Sequence, residues 1–79
     1  GFQRENTKDT VPVLSLVFPI FNEEAVLPHL FARLDSVVEA LQEKVGPIET
    51  VFVNDGSRDT SLLLLREFAR TRPYMRVLS

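Results

Sequence analysis

The apolar run Ile48-Glu49-Thr50-Val51-Phe52-Val53 passes without a break into Asn54-Asp55-Gly56-Ser57-Arg58-Asp59-Thr60, and this junction constrains the fold more than any other stretch. β-Branched and aromatic residues favour a pleated strand. Acid, glycine and hydroxyl residues end it and open a helix. In open parallel sheets, ligands sit beyond the carboxyl ends of the strands, where backbone amides and short polar side chains converge. A second junction of this kind lies upstream, where Leu14-Ser15-Leu16-Val17-Phe18 runs into Pro19-Ile20-Phe21-Asn22-Glu23-Glu24. Two such mouths in one short chain point to one site of the kind that α/β proteins build for nucleotides.

The rest of the chain supplies the elements between the mouths. Residues 1–10 are polar and without periodicity, the pattern of a flexible tail leading into a domain over 11–79. The segment from 11 or 13 to 18 is apolar with little alternation, as expected of a strand covered on both faces. Pro19, with no amide hydrogen to donate, is expected to stop its ladder. Leu27, Leu30, Phe31, Leu34, Val37, Val38 and Leu41 then follow the spacing of an amphipathic helix. Pro28 suits only the first turn, so the helix starts near 26–28 and ends before Gly46-Pro47. A second strand covers 48–53. Asp59 or Thr60 caps a second helix from 61 to about 71, which Pro73 closes. A third strand begins at Met75 and runs to Ser79.

The order is β-α-β-α-β, with crossovers long enough for right-handed parallel connections. The fold class is therefore α/β, the first half of a Rossmann-like parallel sheet. An order that ends on a strand is what a fragment of a doubly wound domain shows.

Composition narrows the classes that remain. At 79 residues the chain buries roughly 60% of its unfolded surface, so it makes one marginal domain or part of a larger one. A net charge of -2 gives no general attraction to nucleic acid or to anionic membrane. Arg66, Arg70, Arg72 and Arg76 read as a solvated outer face of the second helix rather than a phosphate patch. The absence of cysteine excludes disulfides and thiolate metal sites. No apolar stretch approaches the ~20 residues of a membrane span, and no signal-peptide pattern opens the sequence, so the segment itself is expected to be soluble.

Asp55 is the most informative side chain. At a strand's carboxyl end its carboxylate can accept hydrogen bonds from a ring N–H and a neighbouring amine of a base, and an ionised acceptor strengthens them. It can equally organise the turn by accepting from the amides of Ser57 or Arg58. Gly56 allows a backbone conformation or close approach that a Cβ blocks, or is a plain turn glycine. Ser57 caps or contacts a ligand. Asn22 and Glu23 can bond sugar hydroxyls, or serve as a turn residue and an exposed charge. Asp59 reads as a helix cap, and His29, the only histidine, as a surface residue. Asp55 and Asp59 alone make a poor cation site, since a divalent ion wants further oxygen ligands. The run Leu62-Leu63-Leu64-Leu65 reads as packing on the sheet.

Taken together, Pro19-x-x-Asn22-Glu23 and, about thirty residues on, Val53-Asn54-Asp55-Gly56-Ser57-x-Asp59-Thr60 resemble the family 2 inverting glycosyltransferases of the GT-A fold. Within them the chain is most similar to enzymes that move a sugar from a nucleotide sugar to polyprenyl or dolichyl phosphate. The resemblance runs over 13–79. It implies that Pro19 and Glu23 line the base and ribose pocket, that Asp55 contacts the base, and that Gly56 and Ser57 form the turn beside it. With Asn22, these are the expected nucleotide-binding residues, and Asp59 is implied to be structural.

The resemblance further implies a UDP- or GDP-linked donor, a polyprenyl-phosphate acceptor, and Mg²⁺ or Mn²⁺ held by an Asp-x-Asp motif after a later strand. No Asp-x-Asp occurs in these residues. The expectation is thus that 11–79 is the N-terminal nucleotide-binding part of a catalytic domain working at the cytoplasmic face of a membrane. Alone, this segment is expected to be inactive and to bind no nucleic acid.

Other readings remain. A nucleotidyltransferase sheet calls for a glycine- and basic-rich loop after the first strand, where this chain has Pro-Ile-Phe-Asn-Glu-Glu. A receiver-like signalling module has an acidic pair there and an Asp at a later strand end, which Glu23, Glu24 and Asp55 mimic. A non-catalytic interaction piece would self-associate through unpaired sheet edges.

Overall fold

The computed structural model describes residues 11–79, so the tail expected over 1–10 lies outside the described residues. The elements are β1 (Leu14–Ile20), α1 (Leu27–Val45), β2 (Ile48–Asn54), α2 (Ser61–Ala69) and β3 (Met75–Leu78). The three strands form a parallel sheet in the order β1-β2-β3, with β2 central. The α/β class and the β-α-β-α-β order of a half Rossmann-like sheet are therefore present.

The parallel register sets Leu16 beside Thr50 and Phe18 beside Phe52. It continues Thr50 to Met75 and Phe52 to Val77. This face carries the core, in which Phe52, Leu27 and Leu65 are fully buried and Leu34, Val38 and Ile48 nearly so. Phe18 stacks on Phe52 with ring centroids 4.7 Å apart. Residues from both helices belong to this one cluster. Both cover the same face because successive right-handed crossovers that add strands in one direction lay their helices on one side.

That geometry corrects the expectation of a first strand covered on both faces. Val17 is 61% exposed on the opposite face, and Leu78 and Pro19 are exposed as well. The apolar run of β1 therefore does not mean two-sided cover among the described residues.

Pro19 does not stop β1 either, because the strand continues through Ile20. The Ile20 carbonyl accepts the Asp55 amide at 2.8 Å. In a strand, alternate residues turn their backbone groups to opposite sides, so the nitrogen of Pro19 faces the open edge rather than β2. An edge strand tolerates proline for this reason.

α1 matches its expected limits, with Pro28 in the first turn and Gly46 ending it at φ 101°. Val37 departs from the expected apolar stripe and stays 46% exposed. α2 closes at Ala69, two residues short of the expected end. Pro73 disfavours a helical conformation at Arg72, and the chain instead turns, with Arg72 N–H bonded to the Ala69 carbonyl and Met75 N–H to that of Arg72. In the leucine run, Leu65 is fully buried while Leu63 is 61% exposed.

Two of the four arginines are likewise not on the outer face of α2. Arg76 lies on β3 and pairs with Glu49 at 3.6 Å. Arg72 reaches α1, where Nε and Nη2 bond the Asp35 carboxylate. Its guanidinium lies 3.6 Å over the Phe68 ring, and Phe68 stacks on Phe31 at 4.0 Å. The Tyr74 hydroxyl donates to Asp35 as well.

Candidate functional site

Because the strands are adjacent and parallel, the loop after β1 (21–26) and the loop after β2 (55–60) leave the sheet side by side. The last ladder pair is Ile20 with Asn54, and the bond from Asp55 N–H to Ile20 fixes where Asp55 departs. Gly56 follows at φ 74°, and a Cβ placed there would meet nothing within 4 Å. The requirement for glycine is thus the left-handed backbone rather than crowding. Asn22 is the one non-glycine residue with positive φ among the described residues, at 51°, a conformation that asparagine tolerates better than most residues.

The two loops are knitted together. Asn22 N–H donates to Ser57 Oγ at 2.9 Å, and Asn22 Oδ1 accepts Arg58 N–H at 2.8 Å. Glu23 N–H donates to Ser61 Oγ at 2.8 Å. Glu24 N–H donates to Asp59 Oδ2 at 3.2 Å. Glu24 Oε1 in turn accepts both the amide and the hydroxyl of Thr60. Asp59 Oδ1 accepts Ser61 N–H at 2.9 Å, the local turn bond that aspartate commonly makes two residues on. Asp59 is thus a structural residue of the helix entry, while Thr60 gives its side chain to Glu24 rather than to α2. Burial pushes the Asp59 carboxyl up, but bonds from Ser61 and the Glu24 amide outweigh it and hold the group below its ordinary 3.8.

Against this network two carboxylates stand apart. Among the described residues, neither the Glu23 nor the Asp55 side chain has a hydrogen-bonding or ionic partner. Asp55 is exposed, as are Gly56 and Pro19, and Phe21 presents 57% of its surface beside them. All six expected residues, Pro19, Asn22, Glu23, Asp55, Gly56 and Ser57, therefore lie at one mouth. Asn22 and Ser57 are engaged with the facing loop. His29 is exposed in the first turn of α1.

Sequence gives no sign of the roles of Glu24, Thr60 and Ser61 here, because their partners in the facing loop lie 36 to 38 residues away and no local spacing signals such pairs. Among the described residues no group of three or more His, Cys, Asp or Glu side chains converges to hold a metal ion. The described residues do not fit a divalent cation. Nor is any helix of the described residues long and apolar enough to cross a membrane.

Comparison with known proteins then decides among the readings. The sequence model described as glycosyl transferase family 2 matches residues 15–79. The chain belongs to this family. Relatives include the uncharacterized glycosyltransferase YkcC of Bacillus subtilis, 38% identical over 81% of this chain and 19% of its own length. An undecaprenyl-phosphate 4-deoxy-4-formamido-L-arabinose transferase of Aeromonas hydrophila is 36% identical over 75% of this chain and 17% of its own. The transferase of that name from Pseudomonas fluorescens is 43% identical over 71% of this chain and 16% of its own. The chain thus spans less than a fifth of the length of these relatives. In the family 2 setting the acidic pair of a receiver module is also not assembled, since Glu24 is bonded to Thr60.

Proposed function

We propose that residues 11–79 form the donor-nucleotide part of a glycosyltransferase that moves a sugar from a UDP- or GDP-sugar to a polyprenyl phosphate with inversion. The observation that carries this reading is the pair of carboxylates, Glu23 and Asp55, left without partners among the described residues at a mouth where the side chains of Asn22, Glu24, Ser57, Asp59, Thr60 and Ser61 are engaged between the two loops. The Asp55 carboxylate accepts the ring N–H of the base. Guanine adds an amine beside that N–H and so offers a second bond, whereas uracil offers one. Glu23 accepts from the ribose hydroxyls, and the exposed Pro19 and Phe21 pack against the base.

The relatives named for undecaprenyl phosphate support a lipid-phosphate acceptor. Its phosphate oxygen is already anionic and needs no base. That oxygen forms the new bond to the anomeric carbon on the face opposite the diphosphate. The carbon–oxygen bond to the diphosphate breaks, and the nucleoside diphosphate departs with the electron pair. The Mg²⁺ or Mn²⁺ of such an enzyme is assigned to carboxylates outside this segment, and in this reading the full-length protein works at the cytoplasmic face of a membrane. The segment on its own is inactive in this reading.

The test is to supply the full-length protein with UDP- and GDP-sugars and undecaprenyl phosphate, following nucleoside diphosphate release and glycolipid formation. Release that depends on the lipid supports the proposal, and the active donor names the base. Neither binding nor turnover of any nucleotide sugar would end it.

A further inference from the structure

We infer that Glu24 is a positioning residue, whose carboxylate fixes the spacing of Glu23 and Asp55 by stitching the first loop to the entry of α2. The inference rests on the donor-nucleotide reading above and adds a residue to it that touches no ligand.

The argument starts from what holds Glu23. Its two sequence neighbours are both fastened to the second loop, Asn22 through Ser57 and Arg58, and Glu24 through Asp59 and Thr60. Its own amide is held by Ser61. The Glu23 carboxylate is therefore presented from a backbone pinned on both sides, although the side chain itself has no partner among the described residues.

The two pins differ. Asn22 ties the loop to the turn at 57–58, close to Asp55. Glu24 ties it further along, where one carboxylate oxygen takes both hydrogens of Thr60 while the Glu24 amide donates to Asp59. Bonds to an ionised acceptor are the stronger kind. Removing the Glu24 carboxylate leaves the Asn22 bonds and the amide bonds of Glu23 and Glu24 in place but removes both bonds to Thr60, which loosens the half of the loop that presents Glu23. A ligand that needs both free carboxylates must then order the loop itself, which weakens binding without removing any contact.

Isothermal titration of the full-length protein with UDP and GDP, Mg²⁺ present, tests this because it reads affinity and binding stoichiometry separately. Glu24→Ala is expected to raise Kd about tenfold at unchanged stoichiometry. Glu24→Gln keeps an acceptor oxygen and is expected to recover most of the loss. An unchanged Kd, or a fall in stoichiometry alone, overturns the inference, since a merely structural residue lowers only the folded fraction. Loss in both variants without recovery overturns it too, because the charge would then be contacting ligand. If Glu24→Ala does not fold, Thr60→Val carries the test. It keeps the amide bond and loses the hydroxyl, so a two- to threefold rise in Kd (order of magnitude) supports the inference and no rise overturns it. Wild-type protein that binds neither nucleotide overturns the donor reading and this inference together.

Discussion

Arg72 grips Asp35 through two nitrogens, with Nε 3.0 Å from one carboxylate oxygen and Nη2 2.9 Å from the other. This joins the turn after α2 to the middle of α1, and the guanidinium lies flat on Phe68. Both side chains are partly solvated, so the pair acts through geometry and stacking more than through charge. Arg72→Lys loses the fork and the flat stack. It is expected to lower the melting temperature by roughly 5 °C, nearly as much as Arg72→Ala. Thermal unfolding of both variants checks this, and a Lys variant as stable as wild type would contradict it.

Tyr74, the single tyrosine, reports on the same cluster. Burial first, and its bond to Asp35 second, push its phenol well above the ordinary 10.0. With the folded value raised, the associated stability is present below about pH 10 and is lost as pH climbs towards the folded value. Ultraviolet titration should show little phenolate until the chain unfolds in alkali. Asp35→Asn should bring the titration down towards the ordinary value.

Asp59 gives the opposite dependence. Its folded value is depressed, so its contribution is complete above about pH 4 and fades as pH falls through the folded value. Asp59→Asn should be less stable than wild type at neutral pH, by a margin that is smaller at about pH 2. Urea unfolding at the two pH values would show whether the gap narrows.

Thr50 sits fully buried in the central strand, and its hydroxyl has no partner among the described residues. Valine keeps the shape and removes an unpaired polar group. Thr50→Val is expected to stabilise by about 1 kcal/mol, measured by chemical denaturation. A loss of stability would mean that the hydroxyl has a partner after all.

At Gly56 the positive φ, not space, sets the requirement. Gly56→Ala should therefore cost about 1–2 kcal/mol of backbone strain without a clash, and Gly56→Asn clearly less, since asparagine accepts the left-handed region. Equal losses for the two would point to crowding instead.

Local chemistry made the frame and the mouths legible. The change of period between 18 and 27 and the stop at Gly46-Pro47 set α1, and Asp59 followed by Ser61 is a two-residue turn signal. What sequence did not show depends on partners far along the chain. Arg72 and Asp35 are 37 residues apart, and Glu24 and Thr60 are 36. Neither spacing carries a periodic signature. The effect of Pro19 depends on which side of β1 meets β2, and residue type does not encode that. The open face at Val17 was hidden for a related reason, since an apolar run reads alike whether one face is covered or two.

The knitted loops also set a timetable for synthesis. Every bond that fastens the first loop to the second reaches 35 to 38 residues ahead. At ordinary translation speeds that distance takes roughly two to seven seconds. For that interval Asn22, Glu23 and Glu24 emerge with none of their later partners yet made, and Asn22 has nothing to hold it in its left-handed turn. The mouth then forms almost at once, when residues 57–61 arrive. Slow codons in the span between the loops would lengthen the wait, and with it the time in which β1 is an unpaired apolar strand open to chaperones.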